Sequence, residues 1–287
     1  MECLTGASYT SGALVAQNSG ITGSYISSGG AVVPGATTLG DILKAEGYQT
    51  IFMCGSDAEF GERSSYYAGH SDAIIWDYYT AVSQGKIPIT YKKPNCWGIE
   101  DEKLYEYAKE VLTEQLDPSE PFYMTLLTVD THCFDGWLCD ICPDDYPTQY
   151  ENVIACADNL VDSFLIWLQE QDFYENTTVV ITGDHLSMDH DFFLEHGVSL
   201  PERLIYNCIL NPDPSVPTVD PERTFTALDI FPTMLGAIGA KWDSDSLGLG
   251  VNLFSSTPTL IETLGYMTLD EQLKMESSTY QNLFFSS

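Results

Sequence analysis

Positive charge is what this chain has least of. Only 11 of its 287 residues are Lys or Arg, against 42 Asp and Glu, and the formal net charge at pH 7 is −31. Such a surface repels phosphate backbones, which argues against a nucleic-acid partner. The charge itself reads first as solubility. No apolar run is long enough to span a bilayer, and the start, Met-Glu-Cys, has no secretory leader pattern. Internal repeats and low-complexity segments are absent. The 8 cysteines are too few for a disulfide scaffold at this length. Hydrophobic residues make up 44% of the chain, enough for a sizeable core, and the composition is not that of a disordered chain. The length suits a single α/β domain over residues 1–287.

Residues 5–20 read as a loop and a short helix, with Thr10 or Ser11 at the N-cap and Gly20 at the stop. Residues 21–36 are Gly- and Ser-rich and read as loop. A helix is expected over 38–46, strands over 48–54 and 72–76, and irregular chain over 80–98. Periodicity predicts helices over 99–116 and 150–171. Pro121 to Val129 (PFYMTLLTV) and Thr177 to Thr182 (TTVVIT) are continuous apolar runs, as buried parallel strands require. A further strand is expected over 203–210, a helix over 225–238, and one helix over 268–285. Strands and helices alternate, so the expected fold is α/β, a mostly parallel sheet with helices on both faces. Ligands in such folds sit outside the carboxyl ends of the strands. The loops at 130–136 and 183–190 both follow apolar strands and should therefore meet.

Three groups of residues could carry chemistry. Gly183-Asp184-His185 leaves the TTVVIT strand, and a carboxylate beside an imidazole can bind a divalent metal. In isolation the same tripeptide is an ordinary turn. The DTHCFDG loop, 130–136, holds His132, suited to proton transfer or to a phosphoryl oxygen; Asp130 and Asp135 there can equally shape the loop by bonding backbone. Thr10 opens a helix, where backbone N–H groups favour an anion and a hydroxyl can become a nucleophile; a plain N-cap is the simpler reading. Cys139-Asp-Ile-Cys142 has C-x-x-C spacing. No second pair follows at zinc-site spacing and the setting is not thioredoxin-like, so a disulfide and buried free thiols stay open.

Several blocks together resemble the phosphoglycerol transferases that decorate membrane-derived glucans, and their relatives the lipoteichoic acid synthases. They are TGASYTSGALVAQNSGI, TTLGDILKAEGYQTIFMCGSDAEFGERSSYYAGH, LLTVDTHCFDGWLC, VVITGDHLSM, and DIFPTMLGAIGAKW followed by GLGVNLFS. They cover nearly the whole chain in the family's order. The resemblance implies a fold like that of sulfatases and alkaline phosphatase, and one divalent metal, manganese or magnesium with zinc also possible. It implies Thr10 as nucleophile and metal contact, Asp184 and His185 as metal ligands, and His132 and Arg63 as substrate contacts. Gly61 stands where the synthases carry an aromatic near that arginine. The pattern is closer to the glucan-modifying branch, in which cysteines match Cys142 and Cys156, implying a disulfide between them.

The implied reaction moves phosphoglycerol from a phosphatidylglycerol-type lipid to a glycan or polyglycerol-phosphate acceptor through a phosphothreonine. The implied place is outside the cytoplasm, at a membrane surface through an N-terminal anchor. In the family a strand ending in a metal-binding Glu lies well upstream of the nucleophile. Glu2 is too close to Thr10 to be that ligand, so the expectation is a chain lacking the first strand and one ligand. Sulfatase chemistry uses a C/S-x-P-x-R block, and SYTSG has neither that Pro nor that Arg. Phosphoethanolamine transfer, phosphodiester hydrolysis and a non-catalytic glycan-binding role remain as alternatives.

Overall fold

The computed structural model describes residues 1–23, 33–91 and 97–285. Most of the Gly/Ser-rich stretch, and Cys96, lie outside them. In chain order the elements are α1 (Thr10–Ser19), α2 (Leu39–Ala45), β1 (Gln49–Cys54), α3 (Arg63–Ser71), β2 (Ile74–Trp76), α4 (Tyr78–Ser83), α5 (Asp101–Glu110) and β3 (Phe122–Leu127). Then come α6 (Gln149–Gln169), β4 (Val179–Thr182), α7 (His190–Glu195), β5 (Asn207–Leu210), α8 (Ala227–Ala237), the short strands β6 (Ser246–Leu247) and β7 (Gly250–Val251), α9 (Leu260–Leu264), α10 (Tyr266–Leu273) and α11 (Ser278–Phe284).

The chain forms two compact units. One comprises Met1–Leu39, Asp172–Leu186 and Glu202–Ser287; the other comprises Gly40–Gln171 and Ser187–Pro201. The second unit is built on a parallel sheet of order β2-β1-β3, with Ile51 beside Ile74 and Met124. Five of the six β1 residues are buried. Phe52 stacks on Tyr67 of α3 at 4.2 Å between ring centroids, and Trp76 meets Tyr107 of α5 at 4.9 Å. Beyond β1 the chain passes Gly98 so closely that a Cβ there would lie 2.0 Å from the Gly55 carbonyl oxygen. Helix α6 starts on a capping box, Thr148 with Glu151, which satisfies two otherwise orphaned N–H groups.

In the first unit, α1 buries eight of its ten residues. Gly20 ends it in the left-handed region (φ 64°), its N–H bonding the Ala16 carbonyl. The unit's core gathers Met1, Leu4, Ala16, Leu228, Ile230 and Ile261 among others. Helix α8 starts on its own capping box, Thr226 with Asp229. Strands β4 and β5 pair antiparallel, Ile181 beside Cys208.

Several expectations need correcting. The N-cap of α1 is Tyr9, without a side-chain cap bond, and Thr10 is the first helical residue; its hydroxyl bonds a carboxylate instead of the helix backbone. The 80–98 stretch is not wholly irregular, since α4 reaches Ser83 on an Asp77 cap. The predicted 99–116 helix is α5 followed by a π-helical turn, Val111–Gln115. The last expected helix is two, α10 and α11. Strand β5 runs antiparallel to β4, a direction that an apolar run does not encode. Both β3 and β4, read as buried, are half-exposed at every position. No helix among the described residues is long and apolar enough to cross a membrane.

Candidate active site

Three groups from two distant parts of the sequence converge in the first unit. Thr10 donates its hydroxyl proton to Asp184 Oδ2 at 2.7 Å across 174 positions. Asp184 Oδ1 accepts the His185 backbone N–H at 2.8 Å, which folds the turn after β4. His185 Nδ1 lies 2.8 Å from the Leu186 carbonyl oxygen. That oxygen can only accept, so Nδ1 carries the proton and the neutral ring keeps a lone pair at Nε2. Nε2 is 3.4 Å from Asp184 Oδ2. Two lone-pair carriers so close are repulsive unless a second ring proton or a cation offsets them.

That donor set fits a divalent metal. A carboxylate oxygen, an imidazole nitrogen oriented through its other N–H, and a hydroxyl oxygen are all suitable ligands. It is not a full complement: among the described residues no further Asp, Glu, His or Cys joins Asp184 and His185 in a three-member group. The Asp184 side chain is 30% exposed and that of His185 11%, so the pair faces an accessible surface. Gln17, buried in α1, was not singled out from the sequence. It donates to the Gly183 carbonyl at 3.1 Å and ties α1 to the end of β4. Its only sequence signal was a polar residue amid the small apolar ones of α1.

The second unit holds His132, in the loop after β3. Its Nδ1 donates to the Cys133 carbonyl at 2.8 Å, and its ring packs against Trp97 at 4.6 Å. This loop does meet the stretch after Asp184-His185-Leu186. The Asp135 N–H donates to Asp189 Oδ2 at 3.0 Å. The Tyr150 hydroxyl lies 3.1 Å from the Thr131 carbonyl and 2.8 Å from Ser187 Oγ.

Beneath the loop Asp130, read from sequence as a possible loop-shaping acid, pairs with Asp101, which sequence reasoning missed. Asp101, at the start of α5, accepts the N–H groups of Val129 (2.7 Å) and Asp130 (3.1 Å). Asp130 Oδ2 in turn accepts the Asp101 N–H at 3.0 Å and the Cys139 S–H at 2.9 Å. Exposures are 1% for Asp101 and 3% for Asp130. Burial, and then the neighbouring Asp130 charge, push the Asp101 carboxyl well above the usual carboxylate range.

Arg63 is 6% exposed. It donates to the Phe60 carbonyl (2.8 Å), Ser56 Oγ (3.1 Å) and the Asp57 carbonyl (2.7 Å), bracing the turn after β1. Cys142 and Cys156 form a disulfide with Cα atoms 5.6 Å apart.

A profile of the sulfatase family matches residues 4–240. The chain belongs to the sulfatase family. Among curated relatives of this sulfatase-family chain, "Phosphoglycerol transferase I" of Xanthomonas axonopodis pv. citri is 30% identical over 171 residues, 56% of this chain and 24% of that protein. The protein of the same name from Citrobacter koseri is 27% identical over 202 residues, 65% of this chain and 26% of that one. The chain thus spans about a quarter of the length of these relatives. The solved lipoteichoic acid synthase LtaP of Listeria monocytogenes shares the fold with a TM-score of 0.66 at 20% identity, over 88% of this chain and 64% of that one. The phosphoglycerol transferase GacH of Streptococcus pyogenes, solved with sn-glycerol-1-phosphate, has a TM-score of 0.56 at 14% identity, over 100% and 76%. The fold is therefore the sulfatase-like α/β fold.

Proposed function

We propose that this chain carries the transfer chemistry of a phosphoglycerol transferase acting outside the cytoplasm at a membrane surface. The donor is a phosphatidylglycerol-type headgroup, and the acceptor a hydroxyl of a glycan or of a polyglycerol-phosphate chain. The observation that carries this reading is the 2.7 Å bond from the Thr10 hydroxyl to Asp184 Oδ2 beside His185. The curated relatives support the choice of phosphoglycerol as the group moved.

Thr10 Oγ passes its proton to Asp184 and attacks the phosphorus. The bond to the diacylglycerol oxygen breaks, that oxygen leaves with the electron pair and takes up a proton through His132, and phosphoglycerol is held as a phosphoester on Thr10. The acceptor hydroxyl then attacks the phosphorus and gives its proton back to His132, while the departing Thr10 oxygen regains its proton from Asp184. A divalent cation held by Asp184, His185 and Thr10, with manganese and magnesium preferred over zinc, would supply the positive charge that this acidic chain lacks, lowering the hydroxyl's pKa and offsetting phosphoryl charge. The N-terminus of α1 points N–H groups toward an anion at Thr10. His132 is assigned to the substrate's phosphate or glycerol, with its Nε2 available for proton transfer. Arg63 is assigned to the same substrate, a role that would share its guanidinium with the turn it braces.

The test is to trap the intermediate. The chain is incubated with phosphatidylglycerol micelles and Mn²⁺, quenched in acid, and its peptides weighed. The peptide containing Thr10 should gain one glycerophosphoryl group, and Thr10→Ala should gain none while melting like the parent. An adduct that persists in Thr10→Ala, or one that forms equally from phosphatidylethanolamine, would overturn the assignment.

A further inference from the structure

The C-x-x-C segment lies outside the transfer chemistry, yet its sulfurs are not a simple disulfide plus a bystander. The Sγ atoms of Cys139, Cys142 and Cys156 all lie within 4.8 Å of one another. The Cys142 N–H bonds the Cys139 carbonyl at 3.0 Å, a turn of the i to i+3 kind. Such turns hold their end Cα atoms within about 7 Å, which is inside the range a disulfide bridges. Cys139 and Cys156 are 2% and 5% exposed, so the third sulfur is shielded from outside thiols but not from its two neighbours. The Cys139 thiol also has a proton acceptor in place, since its S–H points to Asp130 Oδ2 at 2.9 Å.

We propose that Cys139, Cys142 and Cys156 form a three-sulfur exchange site, whose pairing is coupled to the loop that carries His132. In the exchange, the Cys139 proton passes to Asp130 and the sulfur attacks Cys142. A Cys139–Cys142 bond forms, the Cys142–Cys156 bond breaks, and its electron pair leaves on Cys156, which takes up the proton. Attack on Cys156 instead gives the Cys139–Cys156 pair and releases Cys142. One disulfide and one thiol exist before and after, so no oxidant or reductant is consumed. Burial and Asp130 hold the resting thiol protonated, which makes exchange slow and the starting pair persistent.

The coupling follows from what Asp130 holds. Its carboxylate receives the Asp101 N–H and the Cys139 S–H, and its carbonyl receives the Trp137 N–H at 2.7 Å. A Cys139 sulfur in a disulfide has no proton to donate. One of the bonds that seat residues 130–136 then disappears, and that loop should open more often to solvent.

Disulfide mapping tests this on the chain as it stands. Protein equilibrated in glutathione redox buffer is quenched in acid, alkylated and digested, and linked peptides are identified by mass. A Cys139-linked peptide should appear in the wild type and vanish in Cys139→Ser. Cys156→Ser should accumulate a Cys139–Cys142 link, and Cys142→Ser a Cys139–Cys156 link. Wild type that shows only the Cys142–Cys156 link at every buffer ratio overturns the exchange, whether or not the variants fold. Deuterium uptake over 130–136 should rise several-fold in Cys156→Ser relative to Cys139→Ser; equal uptake overturns the coupling.

Discussion

Two aspartates each follow an apolar strand by a few residues, and they have opposite fates. Asp130, after β3, is 3% exposed and receives an N–H and an S–H from its own unit. Asp184, after β4, is 30% exposed at its side chain, and its Oδ2 faces a hydroxyl and a histidine nitrogen. Both strand ends looked chemically rich as sequence. Burial and donor type separate them: the first carboxylate receives a backbone N–H and a thiol that shape the chain, the second lies beside a hydroxyl and an imidazole nitrogen, groups able to bind a ligand. The strands differ less than the loops, because β3 and β4 are both half-exposed. What decides the role is which residues the neighbouring elements bring up, α5 with Asp101 in one case and α1 with Thr10 in the other.

The comparison breaks first at Asp184. Asp184→Ala should lower phosphoglycerol transfer roughly 10³-fold, as loss of a charge-stabilising group at a reacting centre does. In calorimetry it should abolish Mn²⁺ binding by the chain. Unfolding by urea without metal should shift by less than about 1 kcal/mol, since the side chain is partly exposed. A large loss of stability would mean that Asp184 is as structural as Asp130.

Asp101→Ala should do the reverse. It strands the part-buried N–H of Val129 and the buried N–H of Asp130, while the backbone N–H of residue 101 can still reach Asp130. A cost of about 3 kcal/mol is expected, read as a lower urea midpoint, with Mn²⁺ affinity unchanged. The pH dependence has a definite sign. The folded Asp101 carboxyl is raised above its reference value of 3.8. As pH rises past that value the unfolded chain gives up a proton the folded chain keeps, so stability falls. The parent should lose stability from about pH 4 upward through the raised pKa, and Asp101→Ala should lack that slope.

How much of this was legible in sequence follows the same divide. The GDH turn was legible because its strand is uninterrupted and its carboxylate and imidazole are adjacent in sequence. Thr10 was placed at the correct helix end, one residue from its true position, because Gly20 fixes the other end. Asp101 was not legible: in the run IEDEKL it reads as one more solvated acid at a helix start, and nothing local says that Val129 and Asp130 will cover it. The direction of β5 was invisible because side-chain pattern reports burial, not chain sense. The break between α10 and α11 was missed because apolar spacing continues across Met275-Glu276-Ser277, while Ser277 caps the second helix by accepting the Tyr280 N–H.

A third test sharpens the contrast within the first unit, away from its site. Glu262 accepts Arg223 Nε at 2.8 Å and Nη2 at 3.0 Å, with the N–H groups of Thr259 and Thr224. Burial alone would raise its carboxyl, but the Arg223 and backbone bonds outweigh it and hold it at about 2. Its stability contribution is complete above the unfolded value of 4.5 and is lost as pH falls through 2. After discounting for solvent screening, Glu262→Gln should cost about 1–2 kcal/mol at pH 7. Acid titration of the melting temperature should show a correspondingly shallower slope between those pH values.

The smallest effect asks whether the Asp184 turn is placed by packing or by a single bond. Gly183 continues the β4–β5 ladder, its N–H bonding the Tyr206 carbonyl at 3.0 Å. It has no room for a side chain, because a Cβ would lie 2.7 Å from Ile205 Cγ2. Its carbonyl is met by Gln17 at 3.1 Å. Gln17→Ala removes that donor from a site 6% exposed and should cost about 1 kcal/mol of stability. If ladder and packing already fix Gly183, Mn²⁺ affinity should fall by no more than that energy implies, about fivefold. A drop of 100-fold with the same small change in stability would make Gln17 a positioning residue, and would place the geometry of Asp184 under the control of α1, the helix that presents Thr10.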